Sequence, residues 1–367
     1  MSKRKNIYRF IFAGGGTGGH LYPAIAVAEQ IRLQKPEAEI LFVGTKHKIE
    51  ARAVPMYGFD FKTIWISGFA RKLNIKNLLF PLKLIVALIQ SLIINIKFKP
   101  RVAIGTGAYV AGPIIWGASV LGSKIILLEQ NSYPGVTNRL LEKRAAEIHI
   151  AFDDSRQYFR EKSKLILTGN PLRINLKLED KSASREKLGL NSEKKTLLVF
   201  GGSLGARSLN EAVKNNYEKL LRADIQIIWQ TGELYFEEYR SFKSSKIKVV
   251  PFFDNMSEAL SAADLIVARA GATSIAELSY LGLPVVFVPS PNVAADHQYK
   301  NALSLEVENA AIILKDNVVS DKLYETVTTL IKDQNKLKTL SENIKKFSKP
   351  NAAKIIATSA IKMAERL

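Results

Sequence analysis

Two glycine-rich turns carry the residue types best suited to chemistry in this chain of 367 residues. Gly14-Gly15-Gly16-Thr17-Gly18-Gly19 ends on His20, and Gly201-Gly202-Ser203-Leu204-Gly205 runs into Ala206-Arg207. Each follows an apolar run and opens a helical pattern. Glycine lets the backbone turn through positive φ and approach a ligand closely, and the first N–H groups of a helix favour an anion. Two such turns imply two anionic groups meeting between two similar domains. His20 stands where the positive end of the helix dipole disfavours the imidazolium, which leaves the ring able to accept a proton. A third turn, Arg269-Ala270-Gly271-Ala272-Thr273, leads into a helix bearing Glu277, whose carboxylate suits a vicinal diol such as a ribose. Alone it reads more readily as a capped helix with a surface glutamate, and the next turn shifts the balance. A fourth, from Pro289 to Gln298, again puts polar side chains after an apolar strand, where open α/β sheets bind ligands.

These turns need strands and helices to hold them. Short apolar runs at 8–12, 39–43, 102–104, 124–128 and 148–151 alternate with helical patterns, and the alternation returns at 196–200, 226–230, 247–250, 265–268, 285–288 and 311–314. This is the pattern of parallel sheets covered on both faces. The length suits two domains, 1–165 and 166–344, separated near Thr168-Gly169-Asn170-Pro171 and by a polar stretch at 178–195. The Lys- and Ala-rich run 337–367 reads as helical, and its last part, about 345–367, is expected to pack back on the first domain.

Gly14, Gly16 and Gly19 satisfy G-x-G-x-x-G, but the dinucleotide fingerprint also needs an acid after the second strand. Here that strand runs into Gly44-Thr45-Lys46, and the NAD reading fails. The absence of cysteine removes disulfides, thiolate nucleophiles and cysteine metal sites. His20, His47, His149 and His297 show no metal-ligand spacing, so neither metal nor cofactor is expected. The apolar run at the start meets its glycines too soon for a signal peptide, and the chain is expected to stay in the cytosol.

The formal net charge is +19. From position 61 to 128 there is no Asp or Glu, while Lys62, Arg71, Lys72, Lys76, Lys83, Lys97, Lys99, Arg101 and Lys124 all fall there. One face of the first domain is expected to be cationic. Inside this region, Leu78-Leu79-Phe80-Pro81-Leu82 precedes an uncharged stretch at 84–96, shorter than the roughly 20 residues that span a bilayer. Two readings fit: a helix docked on an anionic membrane surface, where each Lys or Arg adds about 1 kcal/mol, or a buried crossover helix with lysines at its rim. Both hold if the helix is mostly core with one edge toward lipid. Nucleic acid is not expected, since zinc-finger spacing, RNP-type aromatics and a basic helix with heptads are all missing.

Taken in order, Gly15-Gly16-Thr17-Gly18-Gly19-His20, Gly105-Thr106-Gly107-Ala108-Tyr109-Val110-Ala111-Gly112-Pro113, Glu129-Gln130-Asn131, Gly169-Asn170-Pro171-Leu172-Arg173, the 201–207 turn, Gln230-Thr231-Gly232, Arg269-Ala270-Gly271-Ala272 and His297-Gln298 resemble the MurG enzymes over nearly the whole chain. Those enzymes are membrane-associated glycosyltransferases. They add N-acetylglucosamine to undecaprenyl-pyrophosphoryl-MurNAc-pentapeptide, converting lipid I to lipid II in peptidoglycan synthesis. The resemblance implies an α/β fold of the GT-B type, two Rossmann-like domains facing a cleft, peripheral to the cytoplasmic face of the cell membrane. UDP-GlcNAc would be held mainly by the second domain. Position by position, the resemblance implies that the backbone of Phe253 meets the uracil and Glu277 the ribose. Ser203, Ala272 and Thr273 fall on the phosphate turns, and Asn131 and Arg173 match further donor contacts. Gln298 would read the sugar hydroxyls, and Thr17, Gly18 and Gly19 would line the cleft from the other side. The turns at 14–19 and 105–107 would receive the lipid pyrophosphate. The implied reaction is an inverting displacement by the MurNAc 4-hydroxyl with UDP leaving, which needs a base and positive potential. His20 is the first choice for that base, with Glu129 and Tyr109 as alternatives. Ala108 departs from a frequent glycine, Ala111 from a frequent serine and Phe253 from a smaller aliphatic. A transferase using a nucleotide sugar on another lipid or small-molecule acceptor would share the fold and the second-domain turns.

Overall fold

The apolar runs before the glycine turns become the inner strands of two parallel sheets. The computed structural model describes residues 8–68, 79–253 and 255–366. Met1 to Ile7 and Arg71, Lys72, Lys76 and Leu78 of the basic region lie outside the described residues.

The first sheet is built from β1 (Arg9–Ala13), α1 (Gly18–Gln34), β2 (Glu39–Gly44), α2 (Ile49–Met56), β3 (Asp60–Thr63), α3 (Phe80–Phe98), β4 (Val102–Gly105), α4 (Ala108–Val120), β5 (Lys124–Glu129), α5 (Val136–Leu141), β6 (Glu147–Ile150) and β7 (Leu165–Leu167). Its strand order is β3-β2-β1-β4-β5-β6-β7, parallel throughout. Strands covered on both faces read as continuous apolar runs, and in β1 Phe10 and Phe12 enter the core under α1 while Ile11 and Ala13 enter the core under α4. The second sheet follows: α6 (Lys181–Lys187), β8 (Lys195–Phe200), α7 (Arg207–Arg222), β9 (Ile225–Gln230), α8 (Phe236–Tyr239), β10 (Ile247–Val250), α9 (Met256–Ala262), β11 (Leu265–Ala268), α10 (Ala272–Leu281), β12 (Val285–Phe287), α11 (His297–Val307), β13 (Ile312–Ile313), α12 (Val319–Lys332) and α13 (Gln334–Lys345). Its order is β10-β9-β8-β11-β12-β13, again parallel. In both sheets the chain reverses direction of travel beside the first strand, at β1/β4 and at β8/β11. In such sheets ligands bind outside the strand ends at that switch point.

One unit comprises Met1–Ile174 and Lys349–Leu367, the other Asn175–Ser348. The run after β7, through Ile174, stays with the first sheet. The helical stretch expected over 337–367 is two helices, because Pro350 follows a break after α13. The second of them, α14 (Ala352–Glu365), buries Ala353, Ala357, Ala360 and Ala364 in the same core as Ala24 and Ala28 of α1. Small residues let the two helices approach closely, and Tyr8 donates to Glu365 at 2.8 Å beside the Lys35–Glu365 ion pair. Two strands were not anticipated, β3 and β7, and both lie at sheet edges where most side chains are exposed.

The apolar helix α3 corrects one expectation. It is not mostly core: only Ala87, Ser91, Ile94 and Asn95 are buried. Ser91 Oγ donates to the Pro113 carbonyl at 2.7 Å, Asn95 Nδ2 donates to Ile114 O at 3.3 Å, and a Cβ on Gly117 would sit 2.4 Å from Ser91 Oγ. The polar and small face thus points inward against α4. Leu82, Ile85, Ile89, Ile93 and Ile96, each about half exposed, form the outer stripe. At 19 residues the helix is long and apolar enough to cross a bilayer, longer than the uncharged stretch suggested. The bonds to α4 instead hold it along the first unit.

Candidate active site

The first switch point centres on His20. Thr17 is extended and exposed, Gly18 and Gly19 open α1, and His20 is its third residue. Its Nδ1 lies 2.8 Å from Thr106 O and 3.2 Å from Gln130 Oε1. Both partners are acceptors, so Nδ1 carries the proton and Nε2 of the neutral ring holds the lone pair. Thr106 N–H in turn donates to Ala13 O at 3.0 Å, so the turns after β1 and β4 are tied together. Gly107, at φ +91°, passes so close that a Cβ would lie 3.2 Å from the imidazole. Ala108 follows at φ +61°, a left-handed conformation that costs a non-glycine residue about 1–2 kcal/mol. Where a glycine is frequent, this chain therefore carries strain.

The glycine turn is held from behind by Glu50, a residue the sequence reading passed over. Its carboxylate is buried and accepts from Gly16 N–H at 2.8 Å, Thr45 N–H at 3.0 Å and Thr45 Oγ1 at 2.7 Å. A Cβ on Gly15 would lie 2.5 Å from Glu50 Cδ, so only glycine fits there. The Gly16 amide is thus already given to an internal anion. A pyrophosphate reaching this turn would meet its other groups.

Glu129, an alternative base, is buried and accepts from Asn131 N–H at 3.0 Å, Gly135 N–H at 2.9 Å and Asn138 Nδ2 at 2.8 Å. Burial raises its carboxyl pKa against the lowering effect of those donors and of His20. This geometry makes it the anchor of the 131–138 loop, including Asn131, rather than a group facing a substrate. Tyr109, the other alternative, is half-buried, and burial followed by the Glu50 charge pushes its hydroxyl further from ionising. Arg173 stacks over Tyr22 of α1 at 4.4 Å and belongs to the first unit.

In the second unit the turn after β8 carries Ser203 at its tip, with Gly202 at φ +86° and Gly205 at φ +77°. Gly205 packs backbone to backbone on the turn after β9, where a Cβ would fall 2.0 Å from Thr231 O. Gln230 joins two parts of the site: Nε2 donates to Gly202 O at 3.3 Å and Oε1 accepts from Phe253 N–H at 3.0 Å. That N–H is thus engaged within the chain. Gly271 caps α10, Ala272 and Thr273 are its first residues, and Glu277 is buried further along. Arg269, which had no assigned role, locks the surrounding loops, donating to Val288 O at 3.0 Å and Ser208 Oγ at 2.7 Å and pairing with Asp316. Gln298, at the start of α11, accepts from Ser290 N–H at 2.9 Å after two non-glycine residues, Ala295 and Asp296, held at positive φ. Strain of that kind clusters at ligand loops. Among the described residues no group of three or more His, Asp or Glu could hold a metal.

Residues 10–150 match the glycosyltransferase family 28 N-terminal domain and residues 196–356 the family 28 C-terminal domain. The chain is 44% identical over 361 residues to the UDP-N-acetylglucosamine–N-acetylmuramyl-(pentapeptide) pyrophosphoryl-undecaprenol N-acetylglucosamine transferase of Flavobacterium psychrophilum, covering 98% of each. It is 40% identical to the protein of the same name from Clostridioides difficile, covering 97% of this chain and 89% of that one. Among solved structures, MurG of Acinetobacter baumannii superposes with a TM-score of 0.71 at 28% identity, covering 96% of this chain and 99% of that one.

Proposed function

The chain belongs to the MurG family of N-acetylglucosaminyltransferases, and on that footing we propose that it moves N-acetylglucosamine from UDP-GlcNAc to the MurNAc 4-hydroxyl of undecaprenyl-pyrophosphoryl-MurNAc-pentapeptide, converting lipid I to lipid II in peptidoglycan synthesis. The observation that carries the assignment of roles is the Nδ1–H bond from His20 to Thr106 O, which leaves the Nε2 lone pair to act as base. In the reaction the acceptor hydroxyl gives its proton to Nε2, its oxygen bonds to the anomeric carbon, and the bond from that carbon to UDP breaks with inversion. The growing negative charge on UDP is met by the N–H groups of the turns before α7 and α10 and by Arg173.

The second domain, Asn175–Ser348, holds the donor: Phe253 against the uracil, Glu277 on the ribose, Ser203, Ala272 and Thr273 at the diphosphate, and Gln298 on the sugar. The first domain, Met1–Ile174 with the C-terminal helix, takes the acceptor at Thr17, Gly18, Gly19 and the 105–107 turn, and Asn131 completes the donor contacts. The outer stripe of α3 docks this domain on the anionic cytoplasmic face of the membrane. Trp65, half exposed with Lys83 5.7 Å over its ring, supports that reading, because aromatic and basic side chains suit the headgroup layer. The test is transfer of labelled N-acetylglucosamine from UDP-GlcNAc to a lipid I analogue, with UDP-glucose and UDP-GalNAc competing. Label on the prenyl-linked sugar is expected, and preferential labelling of a different lipid or small-molecule acceptor would replace this reading with the wider one.

A further inference from the structure

Two acceptors share the Nδ1 proton of His20, and they differ in kind. Thr106 O, at 2.8 Å, is backbone, whereas Gln130 Oε1, at 3.2 Å, belongs to a side chain that is only 2% exposed. Which end of the Gln130 amide faces the ring follows from its surroundings. Nδ1–H already donates to Thr106 O, and Gln130 Nε2 donates to Leu128 O at 3.4 Å. Turning the amide over would set its NH2 against the ring N–H and its oxygen against a carbonyl. The oxygen therefore accepts from Nδ1–H.

One acceptor is enough to fix the tautomer, but it leaves the ring free to pivot about the N–H···O line. Thr106 follows β4 and Gln130 follows β5, so acceptors from two strands fix the plane of the ring and with it the direction of the Nε2 lone pair. The Gln130 oxygen also bears on charge. Taking up a proton makes an imidazolium in the first turn of α1, where the helix dipole opposes it. The ring N–H is a stronger donor in that state, so an oxygen accepting from it favours the cation over the neutral ring. From β5 the charge that acts on His20 is that of Glu129, buried and held by Asn131, Gly135 and Asn138.

We propose that Gln130 is a positioning residue for the transfer: its side-chain oxygen aims His20 Nε2 at the acceptor hydroxyl and supports the ring once it has taken the proton. The inference rests on His20 as the base.

Gln130→Met keeps the length of the side chain without the acceptor, and Leu128 O retains its bond from Asn138 Nδ2 at 2.9 Å, so the fold should persist. Gln130→Glu keeps the shape and puts a carboxylate in the same place. Titration of the His20 ring nitrogens by NMR, assigned by their loss in His20→Gln, should give a midpoint below the parent's in Gln130→Met. In Gln130→Glu the midpoint should lie above the parent's by about one pH unit or more, the effect of an adjacent opposite charge. The acid limb of kcat for transfer to a lipid I analogue should move the same way in each variant, and the plateau kcat of Gln130→Met should fall about tenfold with KM for UDP-GlcNAc unchanged. Midpoints that stay in place or move the same way in both variants overturn the proposal, as does a parental plateau kcat in Gln130→Met, and His20 then remains the base without this support. Near-parental transfer by His20→Ala removes the base assignment and the proposal with it.

Discussion

Replacing Ile85 and Ile89 together by glutamate tests the docking role of α3 with little risk to the fold. The two side chains are 56% and 53% exposed and one helical turn apart on the outer stripe. Fully burying an isoleucine is worth about 1.5–3 kcal/mol, and about half of each remains to be gained from lipid, so the pair should contribute roughly 1.5–3 kcal/mol to membrane binding. At 1.4 kcal/mol per decade this predicts about a 10- to 140-fold drop in partitioning, before any cost of pushing two carboxylates toward anionic headgroups is added. The assay is co-sedimentation with vesicles containing a quarter phosphatidylglycerol, at low and high salt. The inner face, where Ser91 and Asn95 bond to α4, is untouched, so circular dichroism should be unchanged. If the folded double variant sediments with vesicles as the parent does, the stripe is not the membrane contact and the reasoning fails.

Three further outcomes are expected. Glu277→Ala should abolish measurable UDP-GlcNAc binding by calorimetry while the fold persists; normal donor affinity would remove the ribose assignment. Glu50→Gln places an amide NH2 among the N–H and O–H donors of Gly16 and Thr45, and losing one such buried bond costs about 1–3 kcal/mol. The acceptor KM should rise about tenfold or more with UDP-GlcNAc affinity unchanged, and a donor-side effect would contradict the geometry. Gly205→Ala meets the Thr231 carbonyl at 2.0 Å, whereas Gly189→Ala, at a similar positive φ, meets nothing within 4 Å. Urea unfolding should show about 3 kcal/mol or more lost at Gly205 and about 1–2 at Gly189, and equal losses would mean that φ alone is responsible.

The inner strands and the glycine turns were legible because burial on both faces demands unbroken apolar runs and because close approach demands glycine, as at Gly15 and Gly205. β3 and β7 escaped notice because an edge strand with exposed side chains has no such run. The direction in which α3 faces was illegible for a different reason. Its hydropathy is high all along, and which side turns inward is decided by Pro113 and Ile114 carbonyls and by Gly117, residues on another helix. The turns that carry His20, Glu277 and Gln298 were readable because each is a contiguous run between a strand and a helix. Glu50 and Arg269 work through partners tens of residues away in the chain, and spacing carries no trace of such bonds.

The most direct measurement compares His20→Ala with the parent for two quantities, UDP-GlcNAc affinity and label transferred to a lipid I analogue. The Nδ1–H bond to Thr106 leaves a basic Nε2 at the switch point, so donor affinity should be retained while transfer falls by about 10²–10⁴-fold. Near-parental transfer by the folded variant would contradict it, and the proton would have to leave by another group.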